Sequence, residues 1–354
     1  MSIWQKMKSW FSEPTTRYVM HAIPANRIDR PYDPQPLVAD KSYVRIWLVE
    51  MMLSKSRDWF AGYQPAVHAS TRLKFADQKP EITRVAAPSK EKFVGDDAVL
   101  KNYALLDLVP FRGGTVEIDA ALIAVKGDDG IGKAIAAVAG FADLVAPPLA
   151  AALAIATKVK ESADLLFDEN GQVRLAYHNE LGGAGGANSL VPGYIAVVLA
   201  DAATFDASQL CVRGDQLCWG PNLQAAKPVT GFDHMLIRIE SATSRDDLHN
   251  FQDVGKLRDQ ANAAFARGSK EEGENAYRAA LATVAVHPEL INADRRTVIQ
   301  AIRDDVALYR DAAHGATPMP DVAPALWADL VSRMKPVKDA APVTSAELDT
   351  WMAT

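Results

Sequence analysis

Cysteine is nearly absent from this sequence. Cys211 and Cys218 are the only two among 354 residues, so neither a disulfide framework nor a cysteine-rich metal module can organise the chain. The seven histidines, at 21, 68, 178, 234, 249, 287 and 314, form no His-x-x-x-His pair and stand in no ligand spacing with a cysteine, which leaves a metal site without sequence support. A Gly-x-Ser-x-Gly elbow is also missing, and no catalytic residue or cofactor can be named. Basic blocks are missing too: a net charge of −6 is spread along the chain, which argues against a nucleic-acid partner. Met1 to Glu13 mixes lysines with tryptophans and holds no apolar h-region followed by a small-residue cleavage site. A cytoplasmic protein is therefore expected.

What the chain does have is ordinary globular material, 49% hydrophobic and 23% charged residues, enough for two domains, or one large one with insertions, with a real core in either case. Pro24 to Pro36, with four prolines and Asn26, Asp29 and Asp33, reads as part of an extended linker over residues 14–40. Ser42 to Leu53 is a dense aromatic and β-branched run that favours a buried strand, with a helix as the alternative. Further strands are expected at Tyr103 to Val109, Thr115 to Val125, Val173 to Tyr177, Tyr194 to Leu199 and His234 to Ile239. Thr115 to Leu122 carries the clearest period-two alternation. Short strands between Gly, Pro and Asp turns predict an α+β chain: an antiparallel sandwich-like body over residues 41–243, then a helical module over 244–314 and a proline-rich tail over 315–354.

One segment breaks the β pattern. Residues 134–157 are almost pure alanine, leucine, valine and isoleucine, with one charge at Asp143 and the pair Pro147-Pro148. Consecutive prolines cannot sit inside a continuous helix, so a bent helical hairpin is expected within an insertion at 133–166.

In the helical third, Leu257, Ala261, Phe265, Gly268, Gly273, Tyr277, Ala280 and Leu281 have spacings that resemble one tetratricopeptide repeat, at about residues 254–288. The resemblance implies two antiparallel helices with small residues where they touch, although Gly273 stands where the family usually has alanine. Gly268 is a natural C-cap, and Ser269 with Glu272 reads as a capping box opening the second helix. Such repeats normally need three or more to bury a core, so this one requires another surface. A following helix, about Ala293 to Ala313, offers Val298, Ile299, Ile302, Val306 and Tyr309. The tail holds two short helices, the second opened by a capping box at Thr344 and Glu347, with Trp327, Leu330, Leu348 and Trp351 as apolar anchors that fold back or engage a partner.

Four constellations were weighed for chemistry. Gly127, Gly132 and Lys133 follow an expected strand in P-loop order, but Ala134 replaces the magnesium-binding hydroxyl and the following helix is too apolar for a nucleotide domain, so an Asp-Gly turn reads better. Gly182 to Gly186 lacks strand-to-helix context, and His178 with Glu180 is the one acid–histidine pair beside a glycine loop. Gly214-Asp215 as a two-residue turn would place Cys211 directly opposite Cys218; a reducing compartment would keep them as thiols. Finally, Trp4, Trp10 and Phe11 share one face of an N-terminal amphipathic helix. Two main functions follow, with nucleotide binding at the degenerate P-loop over residues 127–134 as a weaker third. The first is a non-enzymatic adaptor that binds another protein through its helical module, with Phe265, Tyr277, Tyr309, Trp327 and Trp351 as anchors. The alternative is a membrane-active effector that docks by Trp4, Trp10 and Phe11 and inserts the hairpin bent at Pro147 and Pro148.

Overall fold

A computed structural model of the chain describes residues 3–12, 18–30, 32, 34–54, 57–58, 61–74, 81–86, 93–94, 97–126, 171–182, 189–320, 326–338 and 340–353. The fold is α+β, with antiparallel sheets and a C-terminal helical module. It divides into two compact units, residues 1–38 with 44–241, and residues 39–43 with 242–354. The apolar segment 134–157 lies outside the described residues, and so do Pro147, Pro148 and the Gly127, Gly132 and Lys133 loop.

The first unit opens with helix α1 (Ile3–Ser12) and holds fourteen strands among the described residues: β1 Val19–Ile23, β2 Tyr43–Leu53, β3 Arg57–Asp58, β4 Ala61–Lys74, β5 Glu81–Ala86, β6 Phe93–Val94, β7 Asp97–Pro110, β8 Thr115–Lys126, β9 Gly171–Leu181, β10 Gly193–Val198, β11 Leu210–Val212, β12 Leu217–Trp219, β13 Lys227–Pro228 and β14 His234–Ala242. A six-stranded sheet runs β1-β10-β14-β2-β7-β6, a second runs β3-β4-β8-β9 with β5 also on β4, and β11-β12-β13 make a small third sheet.

Side-chain alternation explains how these sheets layer. On β10, Ile195 and Val197 join the core shared with the second sheet's Val67, Val116, Ile118, Leu122 and Leu175, whereas Tyr194, Ala196 and Val198 join a separate core with Leu210, Val212 and Leu217 of the small sheet. On β14, Met235 and Ile237 go one way and Leu236 the other. The six-stranded sheet is thus a middle layer buried on both faces, which is why β2 reads as one continuous apolar run rather than an alternating one. The helix alternative for that run is overturned: its β-branched and aromatic side chains fit a strand covered on both sides.

The proline-containing stretch is not a linker. Val19–Ile23 pairs antiparallel with β10, Ala25–Arg27 forms a 3-10 turn, and Ile28 bridges Val212. Arg27 fastens this segment to the small sheet: its guanidinium donates to the carbonyls of Leu210 at 3.2 Å, Pro221 at 2.9 Å, Gln209 at 2.5 Å and Gly220 at 2.6 Å. Proline excluded α-helix there as expected, but these pairings, with partners far away in sequence, supply structure that local composition does not show.

The second unit is built from α2 (Gln252–Ala266), α3 (Lys270–Val286), α4 (Asn292–Ala313), α5 (Trp327–Arg333) and α6 (Ser345–Ala353). Between α2 and α3, Gly268 at φ +78° completes a Schellman ending, with Ser269 N–H donating to Ala264 O at 2.9 Å and Gly268 N–H to Phe265 O at 2.8 Å. The capping box expected at Ser269 and Glu272 does not form: Ser269 makes no side-chain cap bond, and Glu272 pairs with Arg267 instead. A buried polar network ties residues 39–43 to this unit. The Tyr43 hydroxyl donates to Asp294 Oδ2 at 2.6 Å and accepts from Ile291 N–H at 3.0 Å. Arg245 forks onto Asp247 at 2.6 and 2.7 Å and lies over the rings of Tyr43 and Phe251. Burial pushes the Asp294 carboxyl and the Tyr43 hydroxyl upward in pKa.

Candidate protein-binding surface

The helical unit packs α2, α3 and α4 around one core, and the aromatics expected to serve as surface anchors are inside it. Phe265, Tyr277, Tyr309 and Trp327 are all buried. Their positions follow from the helical period: on α4, Val298, Ile302, Val306 and Tyr309 recur on the face turned to α2 and α3. Trp327 fits against Gly255, and its indole N–H donates to Leu248 O at 3.1 Å. Phe265 lies on Gly273, where an added Cβ would sit 2.7 Å from the ring. That contact leaves no room for a side chain at position 273. Phe265, Tyr309 and Trp327 are spent on the core in this way, whereas Tyr277 also turns its hydroxyl to the tail helix.

Trp351 is different. It stands on α6, of which no residue is fully buried, and the tail helix lies on α3 and α4. Two arginines of α4 frame the indole, Arg303 at 5.3 Å and Arg296 at 5.8 Å from its ring centroid. Arg296 also grips Glu347 Oε1 at 3.1 Å and Oε2 at 3.0 Å while donating to the carbonyls of Ala341 at 2.8 Å and Pro342 at 3.0 Å. Glu347 has a second duty. It closes the capping box, accepting from Thr344 N–H at 3.0 Å while its own N–H donates to Thr344 Oγ1 at 3.2 Å. The Arg296 guanidinium, then the Thr344 bonds, hold its carboxyl down at about 2. At the other end of α6 the freed carbonyls find donors on α3, the Tyr277 hydroxyl to Trp351 O at 3.3 Å and Arg278 to Met352 O at 3.4 Å. The arrangement can recognise a short acidic helix by an acid, an aromatic one turn later, and its carbonyl end.

The first unit gathers polar groups that could have carried chemistry. Cross-strand register sets Ser70, Asp119 and His178 in one row of the second sheet, with Arg72, Glu117 and Glu180 in the next. His178 Nδ1 lies 2.7 Å from Asp119 Oδ1, so its acid partner comes from β8 and not from Glu180. Ligand atoms of Glu117, Asp119 and His178 lie within 4.8 Å of one another, a clustering that spacing along the sequence did not show. Arg72 already occupies it, pairing with Glu117 and with Asp119 Oδ2 at 2.8 Å. A divalent ion would have to displace that guanidinium, so the group reads as an ion-pair network within the sheet.

The cysteine hairpin has the expected geometry. Arg213 and Gln216 exchange backbone bonds at 3.1 and 3.2 Å, Gly214 and Asp215 both have positive φ, and Cys211 faces Cys218. Both are buried free thiols, and burial pushes Cys218 up to about 11. In α1, Met7 and Trp10 pack into the core of the first unit and Phe11 is half-exposed. Of the face expected to meet lipid, Met7 and Trp10 are thus covered by protein and Phe11 is not; the Trp4 side chain lies outside the described residues. Among the described residues, no helix is long and apolar enough to cross a membrane.

The sequence pattern does not single out Arg278, Arg296 or Arg303, and it marks Glu347 only as a cap. The available signal was the i, i+4 spacing of Glu347 and Trp351 opposite an arginine row on α4. Comparison of the chain with protein-family models, with curated proteins and with solved structures finds no match.

Proposed function

We propose that this is a non-enzymatic interaction protein, cytoplasmic in setting, whose C-terminal helical module binds another protein. The observation that carries the reading is the groove of α3 and α4, which already holds a helix through an arginine clamp, a framed indole and donors for the helix end. That is the helix-in-groove mode of recognition. Val286, Leu308 and Leu326 add exposed apolar side chains to the same unit. The rival reading, lipid docking by α1, has less support, because Met7 and Trp10 are committed to the core.

The test is site-specific photocrosslinking in the source cell. A crosslinking residue would be placed at Arg278 beside the groove, at Leu308 and Gln260 elsewhere on the module, and at Lys227 of the first unit as control. Discrete protein adducts from module positions, absent from the control, are the expected result. Absence of adducts from all three module positions overturns the reading.

A further inference from the structure

We propose that α6 is a self-ligand: the tail occupies the module's own binding groove, and the partner is a short acidic amphipathic helix, with an acid followed by a tryptophan-sized aromatic four residues on, that displaces it. The inference rests on the function proposed above and gives that partner its chemistry.

Three observations carry it. First, α6 is too short to hold itself together; helices below about 12–15 residues are marginal in water, and this one spans nine. Its helicity is therefore supplied by the groove. Second, the contacts have the form of a docked peptide: Leu348, Trp351 and Met352 lay a partly buried apolar side on the module's core. No residue of α6 is fully buried, while each end of the helix is met by a specific donor, Arg296 at the acid and Tyr277 and Arg278 at the last carbonyls. Third, charge is complementary: α6 carries Glu347 and Asp349 with no basic residue, and the groove wall carries Arg278, Arg296 and Arg303. A basic or β-forming partner segment would meet repulsion or unpaired carbonyls here.

Tethering sets the size of the effect. The connection from Met334 to Thr344 holds the tail at an effective concentration on the order of 1 mM. If the groove binds such a helix with a Kd of about 10–100 μM, occupancy by the tail weakens binding of a free competitor roughly 10- to 100-fold.

The experiment uses the full chain and a fluorescein-labelled peptide of residues 341–354, followed by anisotropy. Glu347→Arg in the protein sets the tail against Arg296 and opens the groove, so this variant is expected to bind the peptide about 10- to 100-fold more tightly than the unaltered chain does. Trp351→Ala in the protein should act in the same direction, which guards against a folding defect specific to one variant. The peptide carrying Glu347→Arg should lose at least tenfold on the opened protein. Equal binding by the opened and unaltered chains, or no binding by either opened variant at several hundred micromolar peptide, overturns the self-ligand. Crosslinks at Leu308 or Gln260 would still stand in that event, so failure here is distinguishable from failure of the module as a binding unit.

Discussion

Gly273→Ala tests whether the close approach of α2 and α3 is dictated by one ring. Alanine ordinarily improves a helix interior by about 1 kcal/mol over glycine, and on α3 alone the substitution should stabilise. The structure opposes this. The new Cβ would lie 2.7 Å from Cδ1 and Cε1 and 2.9 Å from Cγ of Phe265, against about 3.5–4 Å for a relaxed carbon contact. Phe265 is fully buried, so its ring cannot swing out of the way. Either the ring or the helix must shift by nearly an ångström, and overpacking of that kind costs about 1–3 kcal/mol.

Set against that gain, the cost leaves a net loss of up to about 2 kcal/mol for the α2–α3 pair, equivalent to as much as roughly 30-fold faster local opening. Hydrogen–deuterium exchange of peptides from Gln252 to Val286 reads it without requiring the whole chain to unfold in one step. In a Phe265→Leu background the same Gly273→Ala change should become neutral or protective, a coupling of about 1 kcal/mol or more. If Gly273→Ala alone slows exchange, or if its effect is the same in both backgrounds, the reasoning is refuted.

Other expectations follow from the remaining networks. Tyr43→Phe removes a hydroxyl that satisfies both Asp294 and the Ile291 N–H; a loss of about 2–3 kcal/mol is expected in denaturant titration, and a change below about 0.5 kcal/mol would contradict the network. Cys218, raised to about 11 by burial, should be alkylated at pH 8 more than about 100-fold slower than a free thiol, and labelling within minutes in the native chain would refute its burial. Glu347, held at about 2 by Arg296 and Thr344, has a depressed folded pKa. Its contribution to docking is therefore full above about 4.5 and fades as pH falls towards 2. The Trp351 indole resonance should report release of α6 over that window, and a spectrum unchanged down to pH 2 would remove Glu347 from the docking.

The parts of this fold legible in the sequence are those encoded within one element. β8 was legible because Val116, Ile118, Ala120 and Leu122 alternate with Thr115, Glu117 and Asp119, and the Cys211–Cys218 pairing because Gly214-Asp215 fits a two-residue turn. Gly268 and the Thr344–Glu347 box were legible because caps are local chemistry. What was not legible depends on partners distant in sequence. β1 is short and has only Val19 and Ile23 buried, so nothing in it identifies β10 as its neighbour. Ser269 had the residue pattern of a capping box, but Arg267 competes for Glu272.

The aromatics show why a residue type cannot by itself be assigned a role. Phe265, Tyr277, Tyr309 and Trp351 are equivalent in composition, and repeat-like spacing places the first two on facing helices whether they are anchors or core. What separates them is how many elements cover each one. Phe265 and Tyr309 are enclosed by α2, α3 and α4, whereas Trp351 is covered only by the helix pair it lies on. Tyr277 belongs to both groups, with its ring in the core and its hydroxyl reaching the end of α6. That dual position makes core and groove share a side chain. A Tyr277→Phe change should therefore keep the module folded while weakening whatever helix the groove holds, a separation of packing from recognition that the other buried aromatics do not allow.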